Sequence, residues 1–165
     1  MNANTVIAAC AVVIAVGSLG VSVYEARATR AHNRHSVRPL LVFRTGFPVG
    51  GTAELLLANS GLGPAKIIKT TLMLDGAEFG DFSKESIDEL RAEHLRVKPH
   101  ATTLGGQPVL DTDYEEFLLS VRSYDPDQHS EFSDLIEHRL GIEIVYSSLY
   151  GERTTAKYHM EEPRN

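Results

Sequence analysis

The chain has 165 residues and a formal net charge of −6, from 16 Lys and Arg against 22 Asp and Glu, with seven histidines, one cysteine and no tryptophan. That length suits a membrane segment plus one domain with a real core, and is short for two domains. The acidic balance argues against a nucleic-acid groove, which needs concentrated Lys and Arg, and a single cysteine builds no disulfide framework.

The first element is TVIAACAVVIAVGSLGVSV, Thr5 to Val23, nineteen residues without a charge. A helix rises about 1.5 Å per residue, so about 20 apolar residues cross a bilayer core. A single transmembrane anchor over residues 1–24 is therefore expected. A buried core helix is usually shorter and lies inside a domain. A cleaved signal peptide is the stronger rival, because Ala26-Arg27-Ala28 is of the small-x-small kind. Against it, Met1 to Asn4 carry no cation, and the apolar run exceeds the usual stretch of about 7–15 residues.

Arg27, Arg30, Arg34 and Arg38 follow, with His32 and His35, and only Glu25 opposes them. The positive-inside rule keeps such a flank in the cytoplasm. The expected address is the inner (cytoplasmic) membrane, with the C-terminal domain cytosolic. Cys10 falls inside the span, which agrees with a reducing compartment. Ala8, Ala11, Ala15, Ser18 and Ser22 recur at steps of three and four. Such a stripe of small residues lets helix backbones approach in lipid, so it is a candidate packing face for a homo-oligomer. Gly17 and Gly20 are three apart and make no GxxxG motif. Residues 25–37 read as a basic juxtamembrane stalk that extends the helix for a turn or two. Its cations serve as a topology signal and, secondarily, as contacts to anionic lipid worth about 1 kcal/mol each.

Over residues 38–160 the pattern turns to β. Pro39 to Phe47 holds Leu40, Leu41, Val42 and Phe43. Val49-Gly50-Gly51 makes a turn, and Thr52 to Asn59 forms a second strand with a leucine core. Next come Asn59, Gly61, Gly63 and Pro64 in N-S-G-L-G-P, a structural turn in which Asn and Gly supply positive φ at low cost. Ala65 to Leu74 is the following strand, closed by Asp75-Gly76. A phosphate cradle is disfavoured here: proline follows Gly63, the third glycine is missing, and Lys66 has no Ser or Thr beside it.

The N-x-G-x-G-P-A-x-I pattern between two strands, with Ile144-Val145-Tyr146 and Tyr150-Gly151 near the end, resembles one found in small bacterial proteins. Those proteins carry an N-terminal membrane span and an immunoglobulin-like β-sandwich. The resemblance covers residues 38–160 in outline and implies that fold, with an anchor. It brings no catalytic residues.

Ser83 to Leu95 reads as a helix, with a capping box at Ser86-Ile87-Asp88-Glu89 and Ile87, Leu90 and Leu95 along one side. Arg96 to Leu104 reads as a strand before a Gly105-Gly106 turn. Between Val109 and Ser123, the residues Leu110, Tyr114, Phe117, Leu118 and Val121 fit a helical stripe, while Glu116 to Arg122 also fits a short buried strand. The sandwich resemblance favours the strand. After Asp125-Pro126, Ser130 caps a second short helix that turns Phe132, Leu135 and Ile136 inward and ends at Gly141. Ile142, Ile144 and Tyr146 then alternate on one strand, Gly151 turns the chain, and Thr154, Ala156, Tyr158 and Met160 alternate on the return. Residues 161–165 form a polar tail. The fold expected is thus mainly β: an immunoglobulin-like sandwich with two short helices behind one transmembrane helix.

No catalytic constellation stands out. Asp111, Asp113, Glu115 and Glu116 cluster, as do Asp125 and Asp127, but adjacent loop acids are ordinarily solvated, and the ligands and glycine of a calcium loop are missing. Ser147 and Ser148 lack a GxSxG elbow, and His129 beside Ser130 is only sequence adjacency. No metal, cofactor or enzymatic activity is expected, and nucleic acid is excluded as a partner. Two functions remain: a membrane-tethered, non-enzymatic interaction or scaffold domain with a protein partner, or an oligomeric ligand-responsive membrane effector. For an anionic ligand the local cations are Lys66, Lys69, Arg91, Arg96 and Lys98.

Overall fold

The computed structural model describes residues 2–105 and 109–159, apart from the side chains of residues 5, 6, 8–10 and 30–36. Gly106, Met160 and the 161–165 tail therefore lie outside the described residues, as do the side chains of Ala8, Cys10, Arg30 and Arg34. The chain divides into two compact units, Met1–Ser36 and Val37–Asn165.

The first unit is one helix, α1 (Ala3–Ser36). Helical backbone continues through the whole basic stretch rather than for a turn or two beyond the apolar run. Within α1, Ala11–Thr29 is long and apolar enough to cross a membrane, and none of it is buried. It overlaps the Thr5–Val23 run read from sequence over Ala11–Val23. Val12, Val13, Ile14, Val16 and Leu19 are all exposed. Successive positions on a helix point about 100° apart, so these residues ring it instead of forming one stripe. A helix apolar on every side belongs in hydrocarbon or in a protein core, and among the described residues none of this segment is buried.

The second unit is mainly β. Its strands are β1 (Leu41–Gly46), β2 (Ala53–Asn59), β3 (Ala65–Leu74), β4 (Ala77–Gly80), β5 (His100–Ala101), β6 (Val109–Leu110), β7 (Glu115–Val121), β8 (Leu140–Ser147) and β9 (Arg153–Tyr158). Two antiparallel sheets result, one ordered β1-β2-β7-β5, the other β4-β3-β8-β9 with β6 pairing on β3. Leu55, Leu57, Leu118 and Leu119 from the first sheet share one core with Leu72, Ile142, Ile144 and Tyr146 from the second. Each such side chain contributes about 1.5–3 kcal/mol by leaving water. The Leu41 N–H donates to the Tyr146 hydroxyl at 3.3 Å, a polar tie between the sheets.

Two helical segments close the core. α2 (Lys84–His94) buries Ile87 and Leu90. Its cap is Ser83, whose hydroxyl accepts from the Ser86 N–H, so the expected box at Ser86-Ile87-Asp88-Glu89 starts three residues late. Ser86 is already inside the helix. α3 (Ser130–Asp134) runs into a π-helical turn, Leu135–Arg139, and buries Phe132, Leu135 and Ile136. Ser130 is not its cap: His129 holds that position, and no side chain bonds there. Gly141 does not terminate a helix either, since Leu140 leaves in extended conformation and Gly141 is a buried residue of β8.

Two further points differ from the sequence reading, and a third agrees with it. Within Arg96 to Leu104 only His100–Ala101 pairs as a strand. Strand β4 is an addition: Asp75 and Gly76 both take positive φ (51° and 82°) and fold the chain straight back on β3. The ambiguous segment is strand, as favoured, and β7 carries a bulge where Leu55 faces Leu119 but Leu56 faces Phe117. The extra residue lets neighbouring Leu118 and Leu119 both be buried.

Candidate functional site

The best-built feature of the second unit is the turn between β2 and β3, at the end where the chain enters from α1. Asn59 is buried, and its side chain meets four backbone groups. Its oxygen accepts from the N–H of Leu40 and of Gly61, each at 3.1 Å; its amide donates to the carbonyls of Gly63 at 2.8 Å and Asp111 at 2.9 Å. Its backbone N–H also donates to the Tyr114 carbonyl at 2.8 Å. The entering segment lies across the turn, with the Ser60 N–H donating to Leu40 O and the Leu62 N–H to Arg38 O.

The glycines serve this contact. A Cβ on Gly61 would collide with the backbone of Arg38, Pro39 and Leu40, and one on Gly63 with the Val37 carbonyl. Neither glycine has positive φ, which among the described glycines belongs to Gly50, Gly76 and Gly151. The motif Asn59, Gly61, Gly63 and Pro64 is thus a saddle for residues 37–40: glycine is required for close backbone approach and not for a left-handed turn. Beside it, Arg38 pairs with Glu152 at 3.0 Å over an open cleft of about 380 Å³ that Ser148, Arg153 and Thr154 also line. Both partners are well exposed, so the pair is worth little in stability.

A second cleft, of about 550 Å³, lies at the opposite end, between the β3–β4 turn and the π-helical turn, and includes Met73, Glu137, His138, Arg139 and His159. Arg139 grips Asp75 with two bonds, of 2.7 and 2.8 Å. That guanidinium holds the Asp75 carboxyl below its usual range, and the carboxylate in turn raises Arg139. The Tyr158 hydroxyl donates to Ile136 O at 2.8 Å; burial, then the charge of Glu137, pushes its pKa up to about 12. Tyr114 is also raised, first by burial and then by Glu116, and its hydroxyl is buried with no hydrogen-bond partner among the described residues.

The remaining sequence candidates are dispersed. Arg91 pairs with Asp88 and Arg96 with Glu131, while Lys66, Lys69 and Lys98 are exposed; of the five, Arg91 lines a small cleft with Ile87 and Thr103, and the clefts at Arg38 and at Met73 hold none. Asp111 contributes a carbonyl to the Asn59 hub, and Asp125 accepts from the N–H of Asp127 and Gln128 in its own turn. His129 accepts from the Asp125 N–H through Nδ1 and stacks on Tyr124, away from any nucleophilic role with Ser130. Ser147 and Ser148 are buried, and the Ser148 hydroxyl accepts from the Tyr150 N–H in the hairpin turn. Among the described residues no three His, Cys, Asp or Glu side chains come together as metal ligands would. In α1, Ala11, Ala15, Ser18, Ser22 and Arg27 are exposed.

Sequence reasoning overlooked Leu62, Leu149 and Tyr150, apolar residues exposed in the turns beside the saddle. Their signal was present: a leucine inside N-S-G-L-G-P and a Leu-Tyr pair inside S-S-L-Y-G, where polar residues are usual. No protein-family model matches the chain, and no curated protein matches it in sequence.

Proposed function

We propose that this chain is a single-pass protein of the inner membrane, anchored by α1, whose immunoglobulin-like β-sandwich lies in the cytoplasm as a non-enzymatic interaction module. One observation carries the reading: the Ala11–Val23 part of α1 is apolar all round and, among the described residues, unburied, and α1 leads directly into a two-sheet domain. Water would tolerate such a helix poorly, whereas a bilayer satisfies it. The arginines after the span favour the cytoplasmic side.

The domain also has sheet edges to offer. β1 and β9 each end their sheet, and the Phe43 and Tyr158 rings, with centroids 5.6 Å apart, bring those two edges side by side. An extended segment of a protein partner adds there as a further strand, through main-chain hydrogen bonds. The exposed stripe of Ala11, Ala15, Ser18 and Ser22 supports pairing of α1 with a second copy in lipid. The alternative, a ligand-responsive effector, draws no support from the cations, because Arg91 and Arg96 already have acidic partners.

The test joins fractionation to crosslinking. The intact protein should stay with membranes in alkaline carbonate, and a photo-crosslinker at Thr45 or Thr155 should capture one protein that a crosslinker at Val49 does not. Release by carbonate would refute the anchor. Equal capture from all three positions would refute the edge.

A further inference from the structure

The exposed apolar side chains of the second unit are unevenly distributed. Leu40, Leu62, Val109, Leu149 and Tyr150 all belong to segments at the end where the chain enters. The hydrogen bonds fix that grouping. Leu62 N–H reaches Arg38 O, Ser60 N–H reaches Leu40 O, and Lys66 pairs with both Val109 and Ser147, next to the turn that holds Leu149 and Tyr150. At the opposite end, the turn between β1 and β2 exposes Val49, and Ile68 on β3, Phe117 on β7 and Val97 after α2 are each less than half exposed. Leu62 and Leu149 are 75% and 70% exposed on turn tips, where nothing in the fold requires a leucine.

We infer that this end is a membrane-docking surface, whose apolar tips Leu62, Leu149 and Tyr150 enter the lipid interface beside the anchor. The inference rests on the proposed membrane span of α1, and it names lipid as the occupant because this end of the domain is the one the tether reaches first. With Ala11–Thr29 in the hydrocarbon, the seven helical residues 30–36 rise by about 10 Å. The headgroup layer on one side is about 5–8 Å thick, so Val37 starts at its outer surface, within reach of protruding side chains. Glu25 and Arg27 then fall in about the last turn of the span, where long side chains reach out to the interface. Placing Thr5–Val23 in the hydrocarbon instead would lift Val37 by about 20 Å and leave the tips in water. Docking therefore requires Ala11–Thr29 as the span, the segment of α1 long and apolar enough to cross.

Charge plays little part. Arg38, Lys66 and Arg153 at this end are balanced by Asp111, Asp113 and Glu152. Attachment is by apolar tips, so it holds in zwitterionic lipid and does not change with salt.

The native chain has no tryptophan, so one added indole reports alone. Full-length Leu62→Trp, Leu149→Trp and Val49→Trp proteins are reconstituted in phosphatidylcholine vesicles with and without acyl-chain-brominated lipid. Circular dichroism confirms that all three are folded; the substituted side chains are exposed, so the core is untouched. Flotation with the vesicles reports the anchor separately. Docking predicts at least twofold quenching of the Leu62 and Leu149 indoles, with the Val49 indole unquenched, at low and high salt alike. Proteins that float with vesicles but quench equally at all three positions would overturn docking and leave the anchor standing. Failure to float would overturn the anchor itself. Blue-shifted but unquenched indoles at 62 and 149 would overturn lipid as the occupant and assign the surface to a second copy or another protein.

Discussion

Replacing Asn59 by alanine removes a side chain that holds three segments together: the entering residues 37–40, the turn itself and the loop at Asp111. Four hydrogen bonds end on it, and the side chain is 2% exposed. At about 1 kcal/mol each the bonds would total about 4 kcal/mol. Water can replace part of this for Leu40 and Asp111, whose bonds are only partly buried, but not for the fully buried bond to Gly63 O. A loss of about 3 kcal/mol is the result. For a domain of this size that lowers the melting temperature by about 10–15 °C. Near-ultraviolet circular dichroism follows chiefly the domain, which holds every tyrosine but Tyr24, whereas α1 dominates the far-ultraviolet signal. Asn59→Asp sharpens the test. It keeps both acceptors but turns a carboxylate oxygen toward the carbonyls of Gly63 and Asp111, which raises the folded pKa above the usual value of about 3.9. Its stability is then fullest below about pH 4 and falls as pH rises through the folded pKa. An Asn59→Ala protein that melts within about 3 °C of the parent would refute the hub, as would an Asn59→Asp protein whose deficit ignores pH.

Gly63→Ala drives a methyl into the Val37 carbonyl and should cost at least about 2 kcal/mol, whereas Gly50→Ala meets open space at φ 73° and should cost only about 1 kcal/mol; denaturant midpoints compare them. Asp75 is held below its usual 3.8 by Arg139, so the pair stabilises the fold above that pH and loses the contribution as pH falls through the lowered value. Asp75→Asn should lack this acid limb in a pH series of melting temperatures. Tyr158→Phe should cost about 1 kcal/mol at neutral pH by leaving Ile136 O without its donor. With the Tyr158 pKa raised to about 12, the parent keeps its phenol contribution below pH 10 and loses it as pH climbs toward 12, and the variant should lose correspondingly less in alkaline denaturant titrations.

Much of the fold was legible in the sequence where punctuation and period agree. Gly63-Pro64 and Asp75-Gly76 bracket β3 at its observed limits, Ala65–Leu74, and Ile142, Ile144 and Tyr146 point inward on β8 as their alternation requires. Legibility ended where tertiary contacts decide. Leu118 and Leu119 cannot both face inward on a regular strand, so their segment mimicked helical spacing until the bulge against Leu55 and Leu56 was known. Ser83 and Ser86 compete as caps, and only the bond between them tells which one ends the helix. In the saddle the sequence reading rested on positive φ at Gly61 and Gly63, which neither adopts. Positive φ is a local property that sequence suggests readily, whereas collision with Val37 and Arg38, more than twenty residues back, is not. The two remote clefts and the exposed turn leucines likewise arise from juxtaposition of segments far apart in the chain.

The saddle also settles how mechanical load enters the domain. It joins β2 of one sheet to β3 of the other, and residues 37–40 are clasped to it before β1 begins. Tension or torque arriving along the backbone from Ser36 is thus delivered to both sheets at once instead of peeling β1 from an edge. A chain fastened in this way can be pulled from its N-terminal side without unzipping the domain that follows.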